Sequence, residues 1–415
     1  MHELSSLTIM LAVVVVLPWI GIYMMEEGAP GLNILQIGSP NGATLAYGWY
    51  VLVGTLVYLL LYRHWQCPSE PHRVVPITRR AMHRVASVVI AVELGALVFL
   101  FVGAGVSAVL AGEIGKGEFR STLGALGPLA YSLRDFLIPM LCALVGWVWR
   151  RCPAGATEHA LFGVTILLTS SYPAVWGYKT AALQALVPTV IAVWPKIRVS
   201  YLLMIALPAF CSAVGSAMLF DHLPLAEAWN FVLWRATVGS GDTLWRLWDL
   251  HIEGYVFAPY LPTWLQALGG NLGALVADLS RTNQDELMQT DFSALATATV
   301  KDYALGVNTL TSNVTSTVFG EGLIALGSPG YLVFAALAGV VVALTRTVLN
   351  HATATARPLL TIGMANYIGF SVLSWLNSGG LIALCNIPHL VSFTFALTCC
   401  ALILGHAGLG RLRVR

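Results

Sequence analysis

From Leu7 to Tyr23 the chain runs seventeen residues without a charged side chain, and runs of this kind recur along its length. A helix needs about 20 apolar residues to cross roughly 30 Å of hydrocarbon, and only backbone that satisfies its own hydrogen bonds survives there. Ten segments meet that condition, at about 7–24, 46–62, 84–110, 126–149, 160–175, 180–194, 199–219, 331–348, 358–376 and 381–404. With 57% hydrophobic residues, 10% charged ones and a mean hydropathy of +0.76, the chain lies far from soluble domains, where about 25% of residues are charged. The expected class is an all-α polytopic membrane protein with about ten transmembrane helices. The first run has no basic leader and no small-residue cleavage site, so it reads as a retained span.

Lysine and arginine flank these spans unevenly. Fourteen of the twenty-two fall on one side, among them Arg79, Arg80, Arg84, Arg150, Arg151, Lys196, Arg346 and the tail residues Arg411, Arg413 and Arg415. Positive loops stay inside, which makes that side cytoplasmic and puts both termini on it. A net charge of +2 argues for no nucleic-acid partner. The seven cysteines show no metal-ligand spacing, and all read as structural, with no metal or cofactor expected.

Three regions follow: 1–220 with spans one to seven, 221–328 as a long external segment, and 329–415 with the last three spans and a basic tail. The external segment inverts the charge balance, with eleven carboxylates against four cations. A structureless loop of that length is unusual, so amphipathic helices forming a cap on the external face are expected.

Within it, Trp234-Arg-Ala-Thr-Val-Gly-Ser-Gly-Asp-Thr-Leu-Trp-Arg-Leu-Trp-Asp249 concentrates charge and tryptophan. Ala226 to Val238 reads as an amphipathic helix, Gly239-Ser-Gly241 as its break, and Asp242 as the N-cap of a second helix. Arg246 then follows Asp242 by one turn. Two uses fit: a cap with interfacial anchors, or an anion clamp in which guanidinium groups grip phosphate oxygens. Lys179, in the turn between the fifth and sixth spans, either snorkels to the interface or adds a third phosphate contact. Glu321 approaches the following span in an apolar setting that should raise its pKa and suit acid/base work, against the alternative of a solvated carboxylate at a helix end. Inside the membrane, Glu93 is expected to pair with Arg134, while Asn366, Asn386 and His389 read as helix-to-helix hydrogen bonders.

The number of spans, the long segment opening on Val232-Leu-Trp-Arg235, and the approach through Phe319-Gly-Glu-Gly-Leu323 and Leu326-Gly-Ser-Pro-Gly-Tyr331 carry a resemblance. In these features the chain is similar to the Wzy-type repeat-unit polymerases of bacterial O-antigen and exopolysaccharide assembly. The resemblance implies a GT-C-like fold in the bacterial inner membrane and a metal-independent glycosyl transfer at its external face. Donor and acceptor would be undecaprenyl-pyrophosphate-linked oligosaccharides, with membrane lipid, a flippase and a chain-length regulator as partners. Such a reaction needs cations for the departing pyrophosphate and a base for the acceptor hydroxyl. Arg235, Arg246 and Lys179 are the expected pyrophosphate contacts, Asp242 or Glu321 the expected base, and His251 a further catalytic candidate. An O-antigen ligase and a lipid-linked oligosaccharide flippase or transporter are the alternatives.

Overall fold

A computed structural model describes residues 4–32, 34, 36–65, 76–103, 126–174, 181–194, 196–197, 207, 210–211, 213–218, 222–257, 295–296, 299–300 and 316–409. In chain order the helices are α1 (Ser6–Glu26), α2 (Ala43–Trp65), α3 (Arg79–Val98), α4 (Gly127–Ser132), α5 (Ile138–Trp149), α6 (Ala156–Ala174) and α7 (Ala181–Val193). They continue with α8 (Leu225–Ala236), α9 (Val238–Ile252), α10 (Thr317–Leu326), α11 (Gly330–Ala354), α12 (Pro358–Tyr367), α13 (Leu373–Ser378) and α14 (Ile387–His406). Helical π-turns at Leu133–Leu137 and Ile368–Val372 join α4 to α5 and α12 to α13.

Among the described residues, seven helical stretches are long and apolar enough to span a membrane: Ser6–Glu26, Ala43–Trp65, Arg79–Val102, Leu129–Trp149, Gly330–Ala354, Pro358–Ser378 and Ile387–His406. The protein is therefore a multi-pass, nearly all-helical membrane protein. The other three of the ten expected spans are not among these seven. Helix α6 forms where the fifth was expected but is diluted by Glu158 and His159 at its start and Ser170 to Pro173 at its end, and α7 is only thirteen residues long. Most of 199–219 lies outside the described residues. The strand content described is one two-residue antiparallel pairing, β1 (Leu4–Ser5) with β2 (Lys196–Ile197).

Burial separates centre from rim. In Leu129–Trp149 and Pro358–Ser378, 67% of the apolar window is buried, against 17% in Ala43–Trp65 and Ile387–His406. Helix α5 is buried on all sides from Ile138 to Val148, as expected of a helix apolar around its whole circumference. Small residues set the close crossings. Helices α2 and α11 approach so closely that a Cβ on Gly339 would stand 3.0 Å from Tyr58 N.

The two ends differ in charge. At one end, Ile77 N donates to Arg151 O (3.0 Å), Asn350 Nδ2 to Tyr62 Oη (2.9 Å), and Arg346 reaches Thr8 (3.2 Å) and Tyr58. The β1–β2 pairing is here too, so the chain's start and Lys196 join the arginines that the sequence groups on one side. Toward the middle, the expected Glu93–Arg134 pair is absent. Arg134 is bound bidentately by its neighbour Asp135 (2.6 and 2.9 Å) and lies over the Tyr131 ring, while Glu93 accepts from Thr169 (2.7 Å). Helix register decides this: Glu93 faces α6, and Arg134 faces its own π-turn, whose Asp135 carbonyl accepts from Asn366 (3.3 Å). Asn366 thus bridges helices as expected, whereas Asn386 caps α14 by accepting from His389 N.

Candidate functional site

The opposite end is built around α9. The Gly239-Ser-Gly241 run does not break a helix there, because α9 begins at Val238 and carries both glycines inside it. They are needed for proximity. A Cβ on Gly241 would meet backbone atoms of α1 at Ile22 N and, at 2.6 Å, Pro18 O, and one on Gly239 would stand 2.9 Å from Leu32. Helix α9 is consequently an embedded member of the bundle, with Val238, Leu244, Leu247 and Leu250 fully buried, and not a helix lying on its outer face. Helix α8 keeps the expected amphipathic character, turning Ala228 and Val232 onto Ala213, Val214 and Ala217. Like α9, α10 is inserted: every residue from Thr317 to Ile324 is buried.

The connection between α1 and α2 clasps α9. Trp245 Nε1 donates to Ser39 O (2.9 Å) and Trp248 Nε1 to Asn41 O (3.1 Å), so two of the three tryptophans serve as staples. Asn41 returns hydrogen bonds to Trp245 O and Asp249 Oδ1 (both 3.4 Å). Leu32 N donates to Asp242 Oδ2 (2.8 Å), and Thr243 N donates to Asp242 Oδ1 (2.6 Å). Asp242 is therefore no N-cap. It is a fully buried acceptor that fixes a loop 210 residues earlier in the chain.

Glu321 is also fully buried, and both its oxygens are engaged. Trp375 Nε1 and Gly380 N reach Oε2 (2.9 Å each), and Leu381 N reaches Oε1 (2.7 Å). The solvated alternative is thereby excluded. Gly379 and Gly380, at φ of 74° and 83°, supply the left-handed turn that aims those amides inward. Helix α10 packs on α9 where Gly320 meets Leu247 and Leu244, which places both carboxylates on one pair of touching helices.

The arginines differ from each other. Arg246, 4% exposed, is ion-paired to Asp249 and lies 3.9 Å from Glu253. Arg235 is exposed near the end of α8 beside Gly239, and no ion pair to it is found among the described residues. His251 lies half-buried in the last turn of α9, its ring 5.6 Å from that of Trp248. Trp248 in turn meets Phe319 and Tyr331 (6.2 and 5.9 Å), which walls this region with aromatic rings. At 1.5 Å per residue, His251 stands about 7–8 Å along the helix from Arg246 and about 18 Å from Gly239, next to Arg235. The structure thus aligns Arg246, Asp249 and Glu253 along one face of the C-terminal half of α9, sets His251 beside Trp248 on another face of the same half, and leaves Arg235 next to the start of the helix. Lys179 lies outside the described residues.

Asn41 and Leu32 were not foreseen as site residues. Their one signal was the Gly- and Pro-rich connection Gly28–Gly42, longer than a plain turn requires. No group of residues able to hold a metal ion is found among the described residues. Compared with known proteins, the chain matches no family model, no curated protein and no solved structure.

Proposed function

We propose that the protein polymerises polyprenyl-pyrophosphate-linked oligosaccharide repeat units at the membrane surface nearest α9, and that the C-terminal half of α9 carries the chemistry. One observation supports this above the others: a nearly buried arginine, Arg246, is held within a membrane bundle by carboxylates, the outer of which is half-exposed and 3.9 Å away. Charge in such a place is costly and marks function by default. A phosphate displacing Glu253 would meet a planar guanidinium suited to paired hydrogen bonds. Arg246 is then the principal pyrophosphate contact, and Arg235, which lacks a described ion pair, is a second and more distant one.

His251 takes the role of base. Both oxygens of Asp242 and of Glu321 already accept backbone N–H groups or the Trp375 indole, which suits them to holding the site's walls. His251 is the remaining candidate, less than two turns from Arg246. In the reaction the bond from the donor's anomeric carbon to the pyrophosphate oxygen breaks, and a bond to the acceptor hydroxyl forms. The hydroxyl proton passes to His251, and the negative charge stays on the pyrophosphate beside Arg246.

The test is incubation of the purified protein with a defined polyprenyl-pyrophosphate oligosaccharide. A ladder of products increasing by one repeat unit is expected. Single transfer to a lipid A core acceptor with no ladder would mark a ligase. Uptake of the lipid-linked sugar across vesicles with no new glycosidic bond would mark a transporter, and either outcome would overturn the proposal.

A further inference from the structure

At the end of the molecule remote from α9, helix α3 starts against the usual electrostatic pattern. Thr78 caps it by accepting from Ala81 N (3.3 Å), and its first turns carry Arg79, Arg80, His83 and Arg84 with no acid in the first turn. A helix N-terminus already bears partial positive charge, so cations there are disfavoured. One flank is compensated within the protein: Glu158 of α6 binds His83 (2.8 Å) and lies 4.0 Å from Arg79. The other flank is not. Arg80 and Arg84 repel each other one turn apart, and neither has an ion pair among the described residues.

That flank lines a shallow, open cleft. Arg80, His83, Arg84, Ser87 and Val88 face His406, in the last turn of α14, across a cleft of about 580 Å³. Both helices belong to the candidate spans, so the cleft opens at a membrane edge. Below it the same stripe of α3 continues through Leu94 and Val98, which are 47% and 60% exposed, and Leu402 lies one turn before His406 at 69%. A polar, cationic mouth thus gives onto an apolar track one helix face wide.

We propose that this cleft binds the phosphate headgroup of an anionic phospholipid, with the acyl chains along Leu94, Val98 and Leu402. Arg80 and Arg84 grip the phosphate, and His406 closes the far side. The ligand chemistry is a phosphate, and the apolar track identifies its source as the bilayer instead of solution. Basic clefts between membrane helices are a known physical solution for acidic headgroups. The site is independent of the proposed polymerase chemistry.

The test uses the full chain in nanodiscs of phosphatidylcholine, titrated with phosphatidylglycerol, with bound lipid counted by native mass spectrometry and melting followed in parallel. Wild type should bind phosphatidylglycerol and melt higher with it, and millimolar inorganic phosphate should not displace it. The double variant R80Q/R84Q should bind roughly 10–30-fold more weakly. In pure phosphatidylcholine that variant should melt no lower than wild type, because a like-charge pair at a helix N-terminus has been removed. R80K/R84K, which keeps the charge and loses the planar fork, should fall between the two. R346Q, at the same end but outside the cleft, should bind like wild type. Equal binding by R80Q/R84Q and wild type, equal loss in R346Q, or displacement of the lipid by inorganic phosphate would each overturn the proposal.

Discussion

The two ends of the bundle use charge in opposite ways. At the end holding β1, β2 and the start of α3, Arg79, Arg80, Arg84 and Arg150 stand exposed on the rim, Arg79 with 61% of its side chain open, while half-buried Arg151 and Arg346 lie over the Trp147 and Tyr62 rings. At the α9 end, Asp242, Arg246 and Glu321 are all buried, and each is fixed by partners far away in the chain or along its own helix. Rim charge can be removed at little cost, since exposed pairs contribute at most about 1 kcal/mol. Removing one member of a buried charge pair costs several times as much, because its partner is left orphaned. Glu158, 3% exposed, is the exception at the first end, where it accepts from Gly155 N and binds His83.

Mutations can break this comparison, beginning with the largest effect. Gly241→Ala should destabilise by about 3 kcal/mol, the upper end for overpacking, because the new methyl group meets α1 backbone that cannot move aside. Melting in detergent checks this, with Gly95→Ala as a comparison, since nothing lies within 4 Å of a Cβ there. A small change at Gly241 would mean that α9 does not pack into the bundle.

Next, Glu321→Gln places an amide N–H₂ against donors from Trp375, Gly380 or Leu381, and should cost about 2–3 kcal/mol. Asp242→Asn faces the same problem at Leu32 N or Thr243 N, and about 1–2 kcal/mol is expected. Both losses should appear in melting whether or not substrate is present. Wild-type melting with lost turnover would return these carboxylates to a catalytic role.

The smallest effect lies at the rim. The Gly155 N–H and His83 hold the Glu158 carboxyl down to about 2, from an ordinary value of 4.5. A carboxylate depressed in the folded state stabilises above its unfolded pKa and loses that contribution as pH falls through its folded one. Wild type should therefore lose a little stability between about pH 4.5 and 2 that Glu158→Gln never had, so their melting curves should converge on acidification. Parallel curves would show that the Glu158 contact contributes nothing.

Hydropathy made the seven spans legible, since twenty apolar residues in a row have few other fates. Where polar ends dilute an apolar centre, as in α6, whose Glu158 and Ser170 are part of the helix, hydropathy alone does not mark a span. The α9 end was half legible. Its charges and tryptophans were visible, but Gly239 and Gly241 could be read as a break or as a contact, and only the position of α1 decides between them. Asp242 looked like a cap because its true donor, Leu32 N, is 210 residues away. Glu93 and Arg134 failed as a pair for a similar reason: composition reveals that a buried charge needs a partner, and helix rotation chooses which one.

The most direct test of the contrast between the ends is the product ladder of four purified proteins on one defined polyprenyl-pyrophosphate oligosaccharide: wild type, Arg246→Lys, His251→Gln and Arg346→Lys. Loss of a general base typically costs about 10²–10⁴-fold, and a lysine cannot supply the bidentate fork of arginine. The ladder should vanish with His251→Gln, shorten severely with Arg246→Lys, and remain at wild-type length with Arg346→Lys. Wild-type ladders from both α9 variants would contradict the assignment of the chemistry to the buried-charge end.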